Sequence, residues 1–174
     1  MKWFIMGAVM VVLCMTFTVF QADFDMHELQ TEQVKFTAQE AAAAAAQYMD
    51  PEAYADGRFV FNREEGIQAA EALIRQNLKL DPDFMPLRNS YASEQVTYTI
   101  EFFDDDSVNQ APCLSGYPCL YVQHISQYTL AITHPTVIVS IDAGEAQYSL
   151  RLPGMDTTVY RTGAHEWKGY NFIT

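Results

Sequence analysis

The chain has 174 residues, 49% of them hydrophobic, with 22 acidic against 10 basic residues and a formal net charge of −12. That balance disfavours nucleic acid and anionic lipid as partners of the globular part, because both reward clustered Lys and Arg. Beyond an apolar N-terminal segment, enough chain remains for one compact domain with its own core.

Residues Trp3 to Phe20 are apolar without a charge, and Gln21 to Met49 contains neither Gly nor Pro. The whole reads as one continuous helix. At 1.5 Å per residue the apolar part spans roughly 27 Å, close to the hydrocarbon thickness of a bilayer, and the polar continuation adds about 40 Å. A cleavable signal needs small residues before the cut, whereas Phe20-Gln21-Ala22 offers a bulky Phe. Cys14 follows Leu13, where a lipoprotein signal wants a small residue. The segment is therefore read as a retained anchor. Lys2 on the short side, with no basic residue on the long side until Lys35, favours a head outside. The expected organisation is a transmembrane segment (1–22), a helical stalk (23–50) and an extracytoplasmic head (51–174).

Past the bilayer a spaced stripe runs Phe20, Phe24, His27, Thr31, Val34, Ala38, Ala41, Ala45, Tyr48. Its upper half is made of small residues, which let another backbone approach closely. Two uses fit: packing on the protein's own head, or packing on neighbouring copies. For the second, Phe20, Phe24, Val34, Ala38, Ala41, Ala45 and Tyr48 are the candidate assembly residues.

Asp50-Pro51 ends the stalk and starts a short helical turn through Ala55, stopped by Gly57. Arg58 to Phe61 is extended. Asn62, with Glu65 three residues on, caps a second helix whose apolar face is Ile67, Ala70, Ile74 and Leu78, closed by Asp81-Pro82. From Glu94 the period becomes two. Val96, Tyr98, Ile100 and Phe102 alternate with polar residues, a half-buried strand ended by Asp104-Asp105-Asp106. Leu120 to Ile125 and Tyr128 to Ile132 read as one bent strand or two short ones. Val137 to Ile141, a turn at 142–145 and Gln147 to Leu152 read as a hairpin, with Thr157 to Arg161 as an edge. The fold class is α+β: a long N-terminal helix, a second short helix and a small, mostly antiparallel sheet.

Cys113 and Cys119 flank Leu-Ser-Gly-Tyr-Pro, a turn short enough to be closed by a disulfide, which fits an oxidising compartment. Asp105, Ser107 and Asn109 offer alternating oxygens to a hard cation, but the glycine and distal Glu of an EF-hand loop are missing, and a solvated turn is the plainer reading. No metal or other cofactor is expected. The histidines are His27, His124, His134 and His165. None has zinc-peptidase spacing, and the Gly-x-Ser-x-Gly and phosphate-loop patterns are absent from the sequence, so a non-enzyme is expected.

A charge-free apolar helix running into an Ala-rich continuation, then a small β head with a disulfide loop, resembles the type IV pilin superfamily. Within it, QTEQVKFTAQEAAAAAAQYM, followed by a Gly-containing turn and a helix opening NREEGIQAAEAL, is similar to TadE-type pilin-like proteins of bacterial Tad systems. The likeness covers roughly residues 1–80 and rests on layout and composition. Where pilins place a Glu five residues into the mature apolar segment, this chain has Ile5. The resemblance implies a structural subunit or accessory of a surface filament or secretion apparatus. Its partners would be copies of itself or other pilin-like subunits, together with the membrane. It would sit in the cell membrane, head outside, or in an extracellular filament. The alternative is a membrane-tethered binding module acting as a monomer at the envelope.

Overall fold

A computed structural model of the chain describes residues 1–107, 113, 116–146, 148, 149 and 157–167. Helix α1 is a single run of 44 residues, Lys2–Ala45. Its length follows from a segment without proline and with one glycine, Gly7, near its start. Helix α2 is Pro51–Ala55; Asp50 caps it by accepting from the Glu52 N–H at 2.9 Å, and proline occupies the first turn, where its missing donor is not needed. Helix α3 is Arg63–Leu78, and the Asn62 side chain accepts from the Glu65 N–H at 3.3 Å. It closes before the expected Asp81-Pro82 pair because Lys79 turns left-handed (φ 55°), which returns the Leu80 N–H to the Arg75 carbonyl at 2.9 Å.

Five strands follow: β1 Thr97–Phe103, β2 Cys119–Gln123, β3 Tyr128–Ile132, β4 Thr136–Glu145 and β5 Thr158–Glu166. One antiparallel sheet has the order β1-β4-β5, and β2-β3 forms a separate antiparallel hairpin. The architecture is α+β, as the alternation of periods implies. The expected turn at 142–145 is corrected. Those residues continue β4, which pairs with β5 through Val139↔Gly163 and Asp142↔Tyr160 before the register shifts between Asp142 and Glu145. A bulge of this kind places turn-favouring residues inside a strand, and Gly144 supplies the positive φ (76°). The expected strand Gln147 to Leu152 falls partly on residues outside those described. The edge expected at Thr157 to Arg161 is longer, running to Glu166.

The sheet has two covered faces, and β4 shows it by burying consecutive residues. Val137, Val139 and Ile141 join the core formed with α1 and α3, while Ile138 joins Phe103, Tyr121, Ile132 and Cys113 beneath the hairpin. A strand buried on both faces reads as a nearly continuous apolar run, which VIVSI is. Its one polar member, Ser140, pairs with the Thr162 hydroxyl at 2.9 Å. On the sheet's other edge, the Tyr98 hydroxyl donates to Glu71 of α3; burial and that carboxylate push its pKa up to about 12.

Candidate functional site

The feature that divides this molecule is α1, whose two ends live in different surroundings. An 18-residue window near its start has mean hydropathy 2.3 with no part buried, so one described helix is long and apolar enough to cross a membrane. From Val34 onward the same helix is the centre of the head. Val34, Thr37, Ala38, Ala41, Ala42 and Ala45 are all fully buried against α3, β4 and β5. The line between stalk and head thus falls inside α1.

Of the candidate assembly residues, Val34, Ala38, Ala41 and Ala45 are covered by the chain's own head, whereas Phe20, Phe24 and Tyr48 are exposed. The small residues are explained by close approach. A Cβ on Gly163 of β5 would come within 2.4 Å of the Gln39 N and 2.5 Å of the Ala38 carbonyl carbon, and one on Gly66 of α3 within 3.1 Å of the Ala45 oxygen. Backbones this near leave no room for larger side chains at the contact. The Ala run is therefore the seat of the sheet and of α3.

A second face of the same helix was not singled out by the stripe. Met26, Leu29 and Phe36 are 53%, 56% and 58% exposed, although they lie beyond the apolar segment and alongside the head. The signal that finds them is spacing: with Ala22 and Gln33 they alternate steps of four and three residues.

In the head, Cys113 and Cys119 are bridged, with Cα atoms 5.1 Å apart across a sequence separation of 6. The bridge anchors the start of β2 in the core under the hairpin, where Cys113 is buried. Closing so short a loop restricts the unfolded chain by about 2 kcal/mol. Replacing both cysteines by serine is expected to lower the melting temperature by roughly 4–8 °C. A shift below about 1 °C in a non-reducing thermal melt would show that the bridge contributes nothing.

The acidic trio after β1 acts as a latch. Asp104 is fully buried and accepts from the Phe61 N–H at 3.3 Å and the Ser107 N–H at 3.0 Å, with the Arg63 guanidinium 3.6 Å away. Asp105 accepts from the Phe59 N–H at 2.7 Å, and Asp106 pairs with Arg58 at 2.8 Å. Of the oxygens considered for a cation, the Asp105 carboxylate is thus engaged with the extended segment Arg58 to Phe61, and the Ser107 hydroxyl bonds the Asp104 backbone, accepting from its N–H at 2.6 Å and donating to its carbonyl at 3.0 Å. Asn109, the third ligand considered, lies outside the described residues. Among the described residues no group of three or more His, Cys, Asp or Glu could hold a metal ion.

His134 and Glu166 meet at 3.1 Å, and Thr133 bonds to both. His165 and Glu166 end β5. Hydrogen bonds from Thr133 hold the Glu166 carboxyl below the usual range, partly opposed by burial, with His134 adding to the lowering. Both contacts of the His134 ring, to Thr133 and to Glu166, use the same nitrogen, Nδ1. A base that relays a proton from a hydroxyl to a carboxylate uses its two nitrogens for the two partners, so this cluster ties β4's entry to β5's end and does not form a relay. Beside it, an open groove is lined by Gln47, Met49, Tyr54, His165, Glu166 and Trp167. Two of its lining rings are braced by Phe59, 4.4 Å from Trp167 and 5.9 Å from Tyr54 between ring centroids.

Comparisons with protein-family models, with curated proteins and with solved structures gave no match to this chain.

Proposed function

We propose that the protein is a non-enzymatic, single-pass membrane protein with its head outside the cell, acting by assembly as a pilin-like subunit or accessory of a surface filament or secretion apparatus. The observation that carries this reading is the division of one unbroken helix. Its first twenty or so residues are apolar and exposed, one face of its last twelve is built into the core of the head, and no hinge separates the two. A mere tether needs no rigidity, whereas a subunit that must present its head at a fixed height and angle does. Lys2 as the only charge before Asp23 supports insertion with the N-terminus inside. The bridged cysteines support an oxidising compartment for the head.

A second reading, a tethered binding module working as a monomer, is favoured by the groove rimmed by Tyr54 and Trp167, since such rings suit a partner or a glycan. The two differ in oligomeric state. Chemical cross-linking in native membranes, followed by sedimentation of gently solubilised material, is expected to give ordered oligomers. Monomers at every concentration tested would overturn assembly and leave the module.

A further inference from the structure

We infer that the exposed α1 face formed by Ala22, Met26, Leu29, Gln33 and Phe36 is the seam of a parallel, in-register coiled coil with a second copy of this chain. The inference rests on the assembly reading above and names the surface and the partner.

At 100° per residue these five positions fall within a sector of about 80°, centred roughly 130° around the helix from the buried face of Val34 to Ala45. The chain's own head leaves Ala22, Met26, Leu29 and Phe36 exposed and covers Gln33 only in part. Four of the five are apolar. Of the large apolar residues exposed on α1 between Gln21 and Glu40, only Phe24 lies off this sector. Lipid does not account for them. With the span ending at Ala22, Phe36 stands roughly 21 Å higher along the axis, while the headgroup layer adds only about 5–8 Å beyond the hydrocarbon.

The spacing identifies the partner as a helix. Steps of four and three repeat every seven residues, the period at which two helices keep one seam in contact. Met26 and Gln33 take the a positions and Ala22, Leu29 and Phe36 the d positions. The same steps continue downward through Val19, Met15 and Val12, all exposed. Upward the seam closes at Glu40, which accepts from Asn77 of α3 at 2.6 Å. One polar residue at an a position, here Gln33, is a known means of fixing register.

Charge identifies the partner as a copy, and parallel. The flanking g positions are acidic, Asp25 and Glu32, while the facing e positions are Gln30 and the head-covered Thr37. Parallel copies oppose g to e, setting Asp25 against the Gln30 amide and Glu32 against a position that bears no charge. Antiparallel copies would oppose g to g, carboxylate against carboxylate. Two copies rooted in one bilayer are parallel already.

The test uses the full chain carrying Cys14→Ser, in membranes, under mild oxidation. Leu29→Cys and Phe36→Cys are expected to give a covalent dimer at least ten times more abundant than Glu28→Cys or Lys35→Cys, which sit off the seam. Leu29→Glu should abolish non-covalent pairing while leaving the head's melting temperature unchanged, because Leu29 touches no core. Equal cross-linking on and off the seam, or a cross-linked band of a mass other than twice the chain, would overturn the inference. If oligomers sediment normally while both seam cysteines stay uncross-linked, the seam alone falls. If only monomers sediment, the assembly reading falls with it.

Discussion

Gly163→Ala is expected to lower the melting temperature of the head by roughly 6–12 °C, the equivalent of about 3 kcal/mol for a chain of this size. The added methyl would meet the Gln39 nitrogen at 2.4 Å, the Ala38 carbonyl carbon at 2.5 Å and the Ala38 oxygen at 2.8 Å. All three atoms are backbone of a helix that is pinned by α3 on another side, so no rotamer change relieves the clash; α1 must lift from β5. Gly66→Ala is the informative contrast. There the nearest atoms are the Ala45 oxygen at 3.1 Å and the Phe102 ring edge at 3.3 Å, which need yield only a few tenths of an ångström. The gain of up to about 1 kcal/mol in helix propensity offsets that strain, leaving the variant near wild type. Thermal unfolding of the full chain in detergent, followed by near-ultraviolet circular dichroism, reads both. A Gly163→Ala variant within about 1 °C of wild type would mean that α1 does not seat on β5 at Ala38.

The contrast also explains which parts of this molecule were legible in the sequence. Elements written in local chemistry were: the unbroken run to Ala45, the Asn62 cap, the alternation of β1 and the cysteine pair. What packs on what was not. An alanine is equally at home under its own sheet or under a neighbour's helix, and the partner glycine, Gly163, lies 118 to 125 positions away from Ala45 to Ala38 with no pattern of its own. Strand order was hidden for a similar reason. Gly144 and Asp142 carry turn chemistry, and only the long-range pairing with Tyr160 and Arg161 turns that stretch into a bulged strand. The face of Met26, Leu29 and Phe36 was legible as a heptad but overshadowed by the longer stripe beside it. Local periodicity shows that a face is apolar; only the fold shows which apolar face is already in use.

That distinction gives α1 two interfaces with different chemistry. The covered one is made of small residues, so its energy comes from backbone proximity and from the large side chains of the other elements, among them Ile74, Leu78, Val137 and Val139. The open one is made of large side chains that bury area only when a second surface arrives. A head fixed rigidly to the first interface sets the angle at which the second is offered.

Rigidity at the far end of the helix depends on Asp104, and Asp104→Ala is expected to cost about 2 kcal/mol, or roughly 4–8 °C. The carboxylate is fully buried and accepts from the N–H groups of Phe61 and Ser107. Deleting it leaves the Phe61 N–H without an acceptor in a buried place, at about 1–3 kcal/mol, while the Ser107 N–H keeps the Asp104 backbone carbonyl at 3.0 Å. The neighbouring Arg63 contributes less, because its guanidinium is 54% exposed and 3.6 Å away, so its charge is screened. Asp104→Asn keeps one carbonyl oxygen and turns an NH₂ toward the other donor, so an intermediate loss is expected. Asp105→Ala, which removes an exposed acceptor from the Phe59 N–H, should cost about 1 kcal/mol or less, since water replaces the bond. Hydrogen exchange separates this account from general destabilisation. In Asp104→Ala the Phe61 amide should exchange faster by a larger factor than the amides of β4, because Phe61 bridges Met49, four residues past the end of α1, and opens first once its anchor is gone. Uniform acceleration across the head, or a melting temperature equal to that of Asp105→Ala, would show that the latch does not hold the helix end.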